Sequence, residues 1–388
     1  MPSEIVVVHA GEPPPQEWDA SVFLAGPVPR EQGVPSWHPE AIRLLGQRWA
    51  RPGRLVVFAP EPREGVAVEG IDAIGWEERG LACSDVILFW IPRDMATMPA
   101  LTTNIEWGTW HTSGRAVLGV PPASANNGYP LEQARSSSVP LADTLEGTVG
   151  NALDLIGAGA RRSGGERDVP LLVWNTPSFQ RWYCVQCDAG NTLVSARVEW
   201  TFRVGAERRF VLYWAAHVQV HIAAEDRLKS NEVVISRPDA SHVVLYRPAP
   251  EADDTVIVLV REFRSPASSP DGFVHELPGG SGMRTVSPIV QAVEEVREET
   301  GLALGADRMR YHGSRQVAAT VTAHHTHLFS AEITETELRE LRALQDRPHG
   351  DGLGSERTWV EISTYKELRA HPGPDWATLG MIAQALTD

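Results

Sequence analysis

Cysteine is nearly absent from this chain, three residues in 388. That is too few for a disulfide framework and fits a reducing, cytoplasmic setting. Cys184 and Cys187 form a lone C-x-x-C with no second pair to complete a zinc ribbon, so the motif reads as incidental. No apolar run reaches about 18 residues, and no membrane-spanning helix is expected. The opening Met1-Pro2-Ser3-Glu4 has no basic region ahead of an apolar one, so no signal peptide is expected either. Positive charge is also scarce: 35 Lys and Arg stand against 50 Asp and Glu, a net charge of −15. Such a balance argues against a nucleic-acid backbone as the main partner, because phosphate binding needs a basic footprint. Nucleotides remain open, since a metal ion can neutralise their phosphates.

What is present describes an ordinary globular chain, 42% hydrophobic and 22% charged, long enough for two or three domains. In the first third, short apolar runs alternate with helical patterns. Ile5 to Val8, Ser21 to Ala25, Arg54 to Phe58, Asp85 to Ile91 and Ala116 to Val120 read as strands. Trp37 to Leu45, Trp76 to Ala82 and Asn104 to Thr112 read as helices between them. The pattern predicts a Rossmann-like parallel α/β domain over residues 1–160, within an α/β chain. In such folds ligands sit beyond the carboxyl ends of the strands. That rule directs attention to Gly26-Pro27 and to the loop after Ile91, and makes Gly26, Pro27 and Trp90 the candidate substrate contacts. Three carboxylates stand near these segments: Glu77, Asp85 and Glu106. Glu106 lies close to a helix start, where the dipole is expected to keep it ionised, as a nucleophile requires.

Phe23-Leu24-Ala25-Gly26-Pro27, Trp76-Glu77, Ser84-Asp85-Val86-Ile87-Leu88-Phe89-Trp90 and Glu106-Trp107-Gly108 together resemble nucleoside 2-deoxyribosyltransferase relatives, over about residues 19 to 122. The resemblance implies a glutamate nucleophile at Glu106 and a proton-transfer acid at Glu77. Asp85 opens the strand beside them as a catalytic or a structural carboxylate. The chemistry would follow the logic of a retaining glycosidase, with two carboxyl groups roughly 5 Å apart. The family includes transferases and N-glycoside hydrolases, and the residues do not choose between them.

Pro121 to Ser138 reads as loop, Leu141 to Ile156 as a closing helix, and Gly157 to Glu166 as a linker without apolar bulk. Beyond it the period changes to two. Val169 to Trp174, Trp182 to Val185, Thr192 to Phe202, Arg209 to Trp214 and Val218 to Ile222 are predicted strands, making residues 167–235 a β-rich extension of the domain that comes next.

The C-terminal residues 236–388 centre on a glycine loop, Gly279-Gly280-Ser281-Gly282, that runs into an acidic helix. Ser287 is the expected N-cap, Pro288 the first helical residue and Gly301 the C-terminal cap. Ile289, Ala292, Val293 and Val296 form an apolar stripe, while Glu295, Glu298 and Glu299 cluster on another side. Carboxylates held over a glycine loop suit a hard cation. Gly280, Glu295, Glu298, Glu299 and Gly301 fall on the positions of the Nudix hydrolase signature, which this segment resembles. Val286 stands where that signature has its first glutamate, and Glu294 where it has an arginine.

The resemblance implies an α+β Nudix fold and Mg²⁺ (or Mn²⁺) on Glu295, Glu298 and Glu299, with Glu276 as a further ligand beside Gly280. It also implies Arg264 as a phosphate contact and Glu356 as general base. Two functional readings result. One is a two-headed nucleotide-processing enzyme, cleaving an N-glycosidic bond and a diphosphate linkage; the other is a nucleotide sensor with an inactive Nudix domain. Both resembled families commonly form homo-oligomers.

Overall fold

Alternating apolar strands and amphipathic helices build the N-terminal layer structure. The structure is a computed structural model that describes residues 2–31, 33–63, 72–282, 286–350 and 357–387. By packing, the chain divides into two units, Met1–Ser236 and Arg237–Asp388.

The first unit opens with strands β1 (Ser3–His9), β2 (Glu17–Trp18) and β3 (Ala20–Ala25), then helix α1 (His38–Arg48). Strand β4 (Gly53–Ala59), helix α2 (Ala73–Cys83), strand β5 (Val86–Trp90), helix α3 (Leu101–Trp110) and strand β6 (Ala116–Gly119) come next. Helix α4 (Gly128–Ser136), strand β7 (Leu141–Ala142) and helix α5 (Leu145–Ile156) complete the layers. Among the described residues, six strands form one parallel sheet in the order β1-β4-β3-β5-β6-β7. The order reverses direction between β3 and β5, so the loops leaving those strands diverge and open a crevice there. Residues of β3 and β5 alternate between two cores. Val22, Leu24, Val86 and Leu88 face α1 and α5, while Phe23, Ile87 and Phe89 face Trp76 of α2 and Trp107 of α3. Complete burial of β3 and β5 on both faces explains why they read as unbroken apolar runs.

Downstream, several expectations change. Within the stretch read as loop, residues 128–136 form α4, and the predicted closing helix starts only at Leu145, where the Thr144 side chain accepts from Gly147 N. Inside the expected linker lies strand β8 (Arg162–Ser163), paired with β2, and Arg162 is fully buried. Val169 to Trp174 and Trp182 to Val185 are not strands. After the extended Val169 and Pro170, Leu171 to Trp174 forms helix α6 (Leu171–Trp174), and Trp182 to Val185 lies in helix α7 (Pro177–Asp188). Thr176 caps α7 by accepting from Phe179 N, and Pro177 occupies its first turn. Phe179, Trp182 and Tyr183 then share one helical face, which packs Phe179 against Trp214 at 5.3 Å between ring centroids. Of the remaining predicted strands, Thr192 to Phe202 is β9 (Thr192–Val204). The two read at Arg209 to Trp214 and Val218 to Ile222 are a single strand, β10 (Phe210–Ile222). With β11 (Arg227–Ser236), which the sequence reading did not anticipate, they form an antiparallel sheet ordered β11-β10-β9. Leu193, Val211, Trp214, Ala216 and Val218 enter the same core as Val22, Leu24 and Val149. Residues 167–236 therefore pack with the N-terminal unit, whereas the sequence suggested an extension of the C-terminal one.

The second unit has a mixed sheet. Its elements are β12 (Ala240–Arg247), β13 (Val256–Glu262), β14 (Val274–Glu276), β15 (Gly279–Gly280) and helix α8 (Pro288–Thr300). They continue with β16 (Arg310–Gln316), β17 (His325–Glu332), α9 (Glu335–Leu344), β18 (Thr358–Thr364), α10 (Tyr365–Ala370) and α11 (Trp376–Thr387). Strand β12 lies antiparallel to β13 and parallel to β17, and β18 covers the other side of β13. Val243, Leu245 and Val258 pack with Ala292 and Val296 of α8 and Leu338 and Leu341 of α9. Val244, Ile257 and Leu259 pack on the opposite face with Leu368 of α10 and Ile382 of α11. The period of two thus sandwiches the sheet between helices. Gly301 takes a left-handed conformation at φ 75°, the cap expected of it.

Candidate functional sites

In the first unit the crevice edge is built by close backbone approach. A Cβ on Gly26 would collide with the carbonyl oxygen of Trp90 and with the ring of Trp37, so only glycine lets β3 end there. Trp37 donates its indole N–H to Pro27 O at 3.1 Å and stacks on His38, with ring centroids 4.0 Å apart. Gly26 and Pro27 therefore shape the edge through their backbone. The Trp90 side chain turns inward: it belongs to the core and would meet any Cβ placed on Gly119.

Helices α2 and α3 lie on one face of the sheet and present Glu77 and Glu106, each one to two turns from a helix start. Both side chains are partly buried. Burial, and then repulsion from Glu77, push the Glu106 carboxyl up to about 7. Burial also raises Glu77. The expectation that the helix dipole keeps Glu106 ionised is thus corrected. Glu106 is the sixth residue of α3, beyond the first turn where the dipole acts, and desolvation dominates. The charge of Glu77 thus reaches Glu106, and the two glutamates form an acidic pair.

Asp85 lies elsewhere. It precedes β5, at the amino end of the sheet, and the five residues of β5 separate it from the crevice edge by roughly 16 Å. Both of its oxygens are occupied: Arg162 donates to Oδ1 and Oδ2 at 2.7 and 2.6 Å, Leu171 N to Oδ1 at 2.7 Å, and Ser21 N to Oδ2 at 2.7 Å. At 3% exposure this carboxylate holds the fold and has no access to substrate.

Two groups at the crevice escaped the sequence reading. Arg93, 8% exposed, donates to Asn127 Oδ1 at 3.0 Å, to Pro99 O at 3.2 Å and to Asn104 Oδ1 at 2.6 Å. It ties the loop after β5 to α3 and so fixes the helix that carries Glu106. The available signal was an arginine two residues past an apolar strand. His38 is 1% exposed, lies 3.4 Å from Glu61, and its Nε2 has no hydrogen-bond partner among the described residues. Burial opposes it, but bonding to His38 and Ser36 and the nearby His9 hold Glu61 below its ordinary value.

In the second unit the glycine loop and α8 meet as the spacing suggested. Glu299 is 6% exposed and accepts from Gly279 N at 2.8 Å. A Cβ on Gly280 would stand 2.8 Å from the Glu295 carboxylate, so the glycine makes room for that group. Burial, followed by repulsion from Glu295, Glu276 and Glu262, raises Glu299 well above the usual carboxylate range. Burial likewise raises Glu276, against the pull of Arg264. Arg264 lies 2.8 Å from Glu262 and acts here as a local counter-ion. Glu298 departs from the cluster: its side chain is 47% exposed and lies 4.0 Å from Arg297. Glu356 lies outside the described residues. Among the described residues no three side chains of ligand type are drawn together at metal-binding distance, and no helix is long and apolar enough to cross a membrane.

Residues 19–124 match the family model described as "Nucleoside 2-deoxyribosyltransferase like". The matched span runs from Asp19 through β3, α2, β5 and α3 and includes both Glu77 and Glu106; it covers none of the second unit. No curated protein matches the chain.

Proposed function

From the matched span, which fits a nucleoside-processing enzyme, we propose that the first unit cleaves or exchanges the N-glycosidic bond of a nucleoside or nucleotide. The acidic pair Glu77–Glu106 is the observation that carries this reading. Ionised Glu106 attacks the anomeric carbon as the bond to the base breaks, and the base leaves with the electron pair and a proton from Glu77. Water or a second base then displaces Glu106 and returns a proton to Glu77. Positive charge developing on the sugar favours ionised Glu106, offsetting the burial that raises its pKa in the free protein.

The second unit, on this proposal, hydrolyses a nucleoside diphosphate linked to another moiety. Glu299 accepts from Gly279 N, and the Glu295 carboxylate occupies the space beside Gly280. These oxygen donors are of the type a divalent cation takes, and bringing Glu276 in with them would complete the set. A cation would relieve the repulsion that Glu295 and Glu276 exert on Glu299. Mg²⁺ (or Mn²⁺) bound there would polarise the phosphates and lower the pKa of an attacking water. Glu295, Glu299 and Glu276 would hold the ion, Glu298 would turn in from its exposed position, and Arg264 would reach a phosphate. A second reading has a specific basis: Val286, Glu294 and the outward Glu298 favour a unit that binds a nucleotide without turning it over.

A single assay tests both units. The protein is incubated with nucleosides, nucleotides and nucleoside-diphosphate sugars, with Mg²⁺ or EDTA, and products are read by mass spectrometry. Free base that disappears in Glu106→Ala, beside EDTA-sensitive phosphate cleavage that disappears in Glu299→Gln, supports both activities. Base release that survives Glu106→Ala removes the first. Retained nucleotide without phosphate cleavage turns the second unit into a sensor.

A further inference from the structure

A groove of about 500 Å³ opens in the first unit at the carboxyl end of α3, along the outer edge of β9. It lies toward the amino end of the parallel sheet, since Arg115, which immediately precedes β6, helps to line it. Thr109 and Trp110 of α3 also line it, but neither Glu77 nor Glu106 does, so a ligand held in it does not depend on the N-glycosidic reading.

Its lining combines flat aromatic surface with unneutralised positive charge. Trp200 and Phe202 are 52% and 47% exposed, and their rings stack at 5.9 Å between centroids and 24° between planes. Two arginines, Arg203 and Arg208, complete the wall. Arg203 donates to the carbonyls of Arg208 and Thr112 at 3.1 and 3.0 Å. Among the described residues neither guanidinium has a carboxylate partner, although the chain carries a net charge of −15. The groove's own carboxylate, Glu199, is engaged by Arg197 at 2.6 Å. Burial, and then the neighbouring Arg208, make the Arg203 charge costly. The backbone is shaped to keep it in place. Gly114, at φ 81°, has no Cβ where one would stand 2.6 Å from the Arg203 guanidinium, and Arg208 is itself held at φ 50°.

Two adjacent cations without counter-ions call for an anion, and an exposed aromatic stack beside them calls for a planar ring. We propose that this groove binds a nucleoside monophosphate, with the base against Trp200 and Phe202 and the phosphate on Arg203 and Arg208. The volume suits a ligand of that size.

Photolabelling of the full chain with 8-azidoadenosine 5′-monophosphate, mapped by peptide mass spectrometry, tests this. Label is expected on residues 198–208, protected by excess AMP and not by adenosine. Arg208→Ala and Trp200→Ala, both at exposed positions, should each reduce that label by about tenfold. Glu106→Ala should leave it unchanged. Label absent from this segment, equal protection by adenosine, or full labelling of both groove variants overturns the proposal. So does loss of the label in Glu106→Ala alone, which would assign the nucleotide to the crevice. Activity of Glu106 in base release is read separately, so either reading can fail while the other stands.

Discussion

At Glu106, burial and the facing Glu77 act in the same direction, and the consequence is readable in two independent measurements. The folded-state value of about 7 lies above the ordinary carboxylate value of 4.5, so between those pH values the native protein holds more protons than the unfolded chain. Stability then falls as pH rises through that window, by at most about 3 kcal/mol from this group. Glu106→Gln removes the charge and should gain most above pH 7. The difference in melting temperature between variant and wild type is expected to widen from pH 5 to pH 8; a constant difference would show that Glu106 is not perturbed. In the proposed reaction the nucleophile must be ionised. The reaction also needs a protonated Glu77, so kcat/KM for base release should be bell-shaped in pH, falling on the alkaline side above about 7 as the pair loses its last proton.

Among the elements, α8 shows how far local chemistry can be read in advance. Proline at its start, an apolar stripe, a carboxylate face and a terminal glycine each sit where their physical role requires. Gly301 occupies φ 75° and its absent Cβ faces the His349 ring, so Gly301→Ala should cost about 1 kcal/mol or more by chemical denaturation. No loss would mean that the cap is dispensable. Helix α7 shows the opposite case. Thr176-Pro177 is a helix start, yet aromatic residues and a β-rich neighbourhood pointed to strand. The parallel strands were legible because burial on both faces leaves an uninterrupted apolar run. The sequence singled out Glu77 and Glu106, but the rise in the Glu106 pKa depends on how α2 and α3 bring them together. Arg93 was not legible at all, because its partners come from positions up to 34 residues away.

For the molecule, the buried Asp85–Arg162 pair decides what constitutes a folding unit. A chain ending at residue 160 would strand Asp85 without its cation and uncover the core that Val169, Leu171 and Phe179 close. Losing one partner of such a pair costs about 3–5 kcal/mol. Residues 1–160 are therefore expected to be insoluble or molten, while residues 1–236 should give a single cooperative melt. A well-folded 1–160 would refute this placement of the boundary. The same pair also sets an order of events at the ribosome. Asp85 leads into the central strand β5, but Arg162 comes 77 residues later and the amide of Leu171 86 residues later. At about 5–20 residues per second, Asp85 waits roughly 4–17 s with Ser21 but without its cation. During synthesis the N-terminal layers are therefore expected to close around Asp85 only once their distant cation emerges.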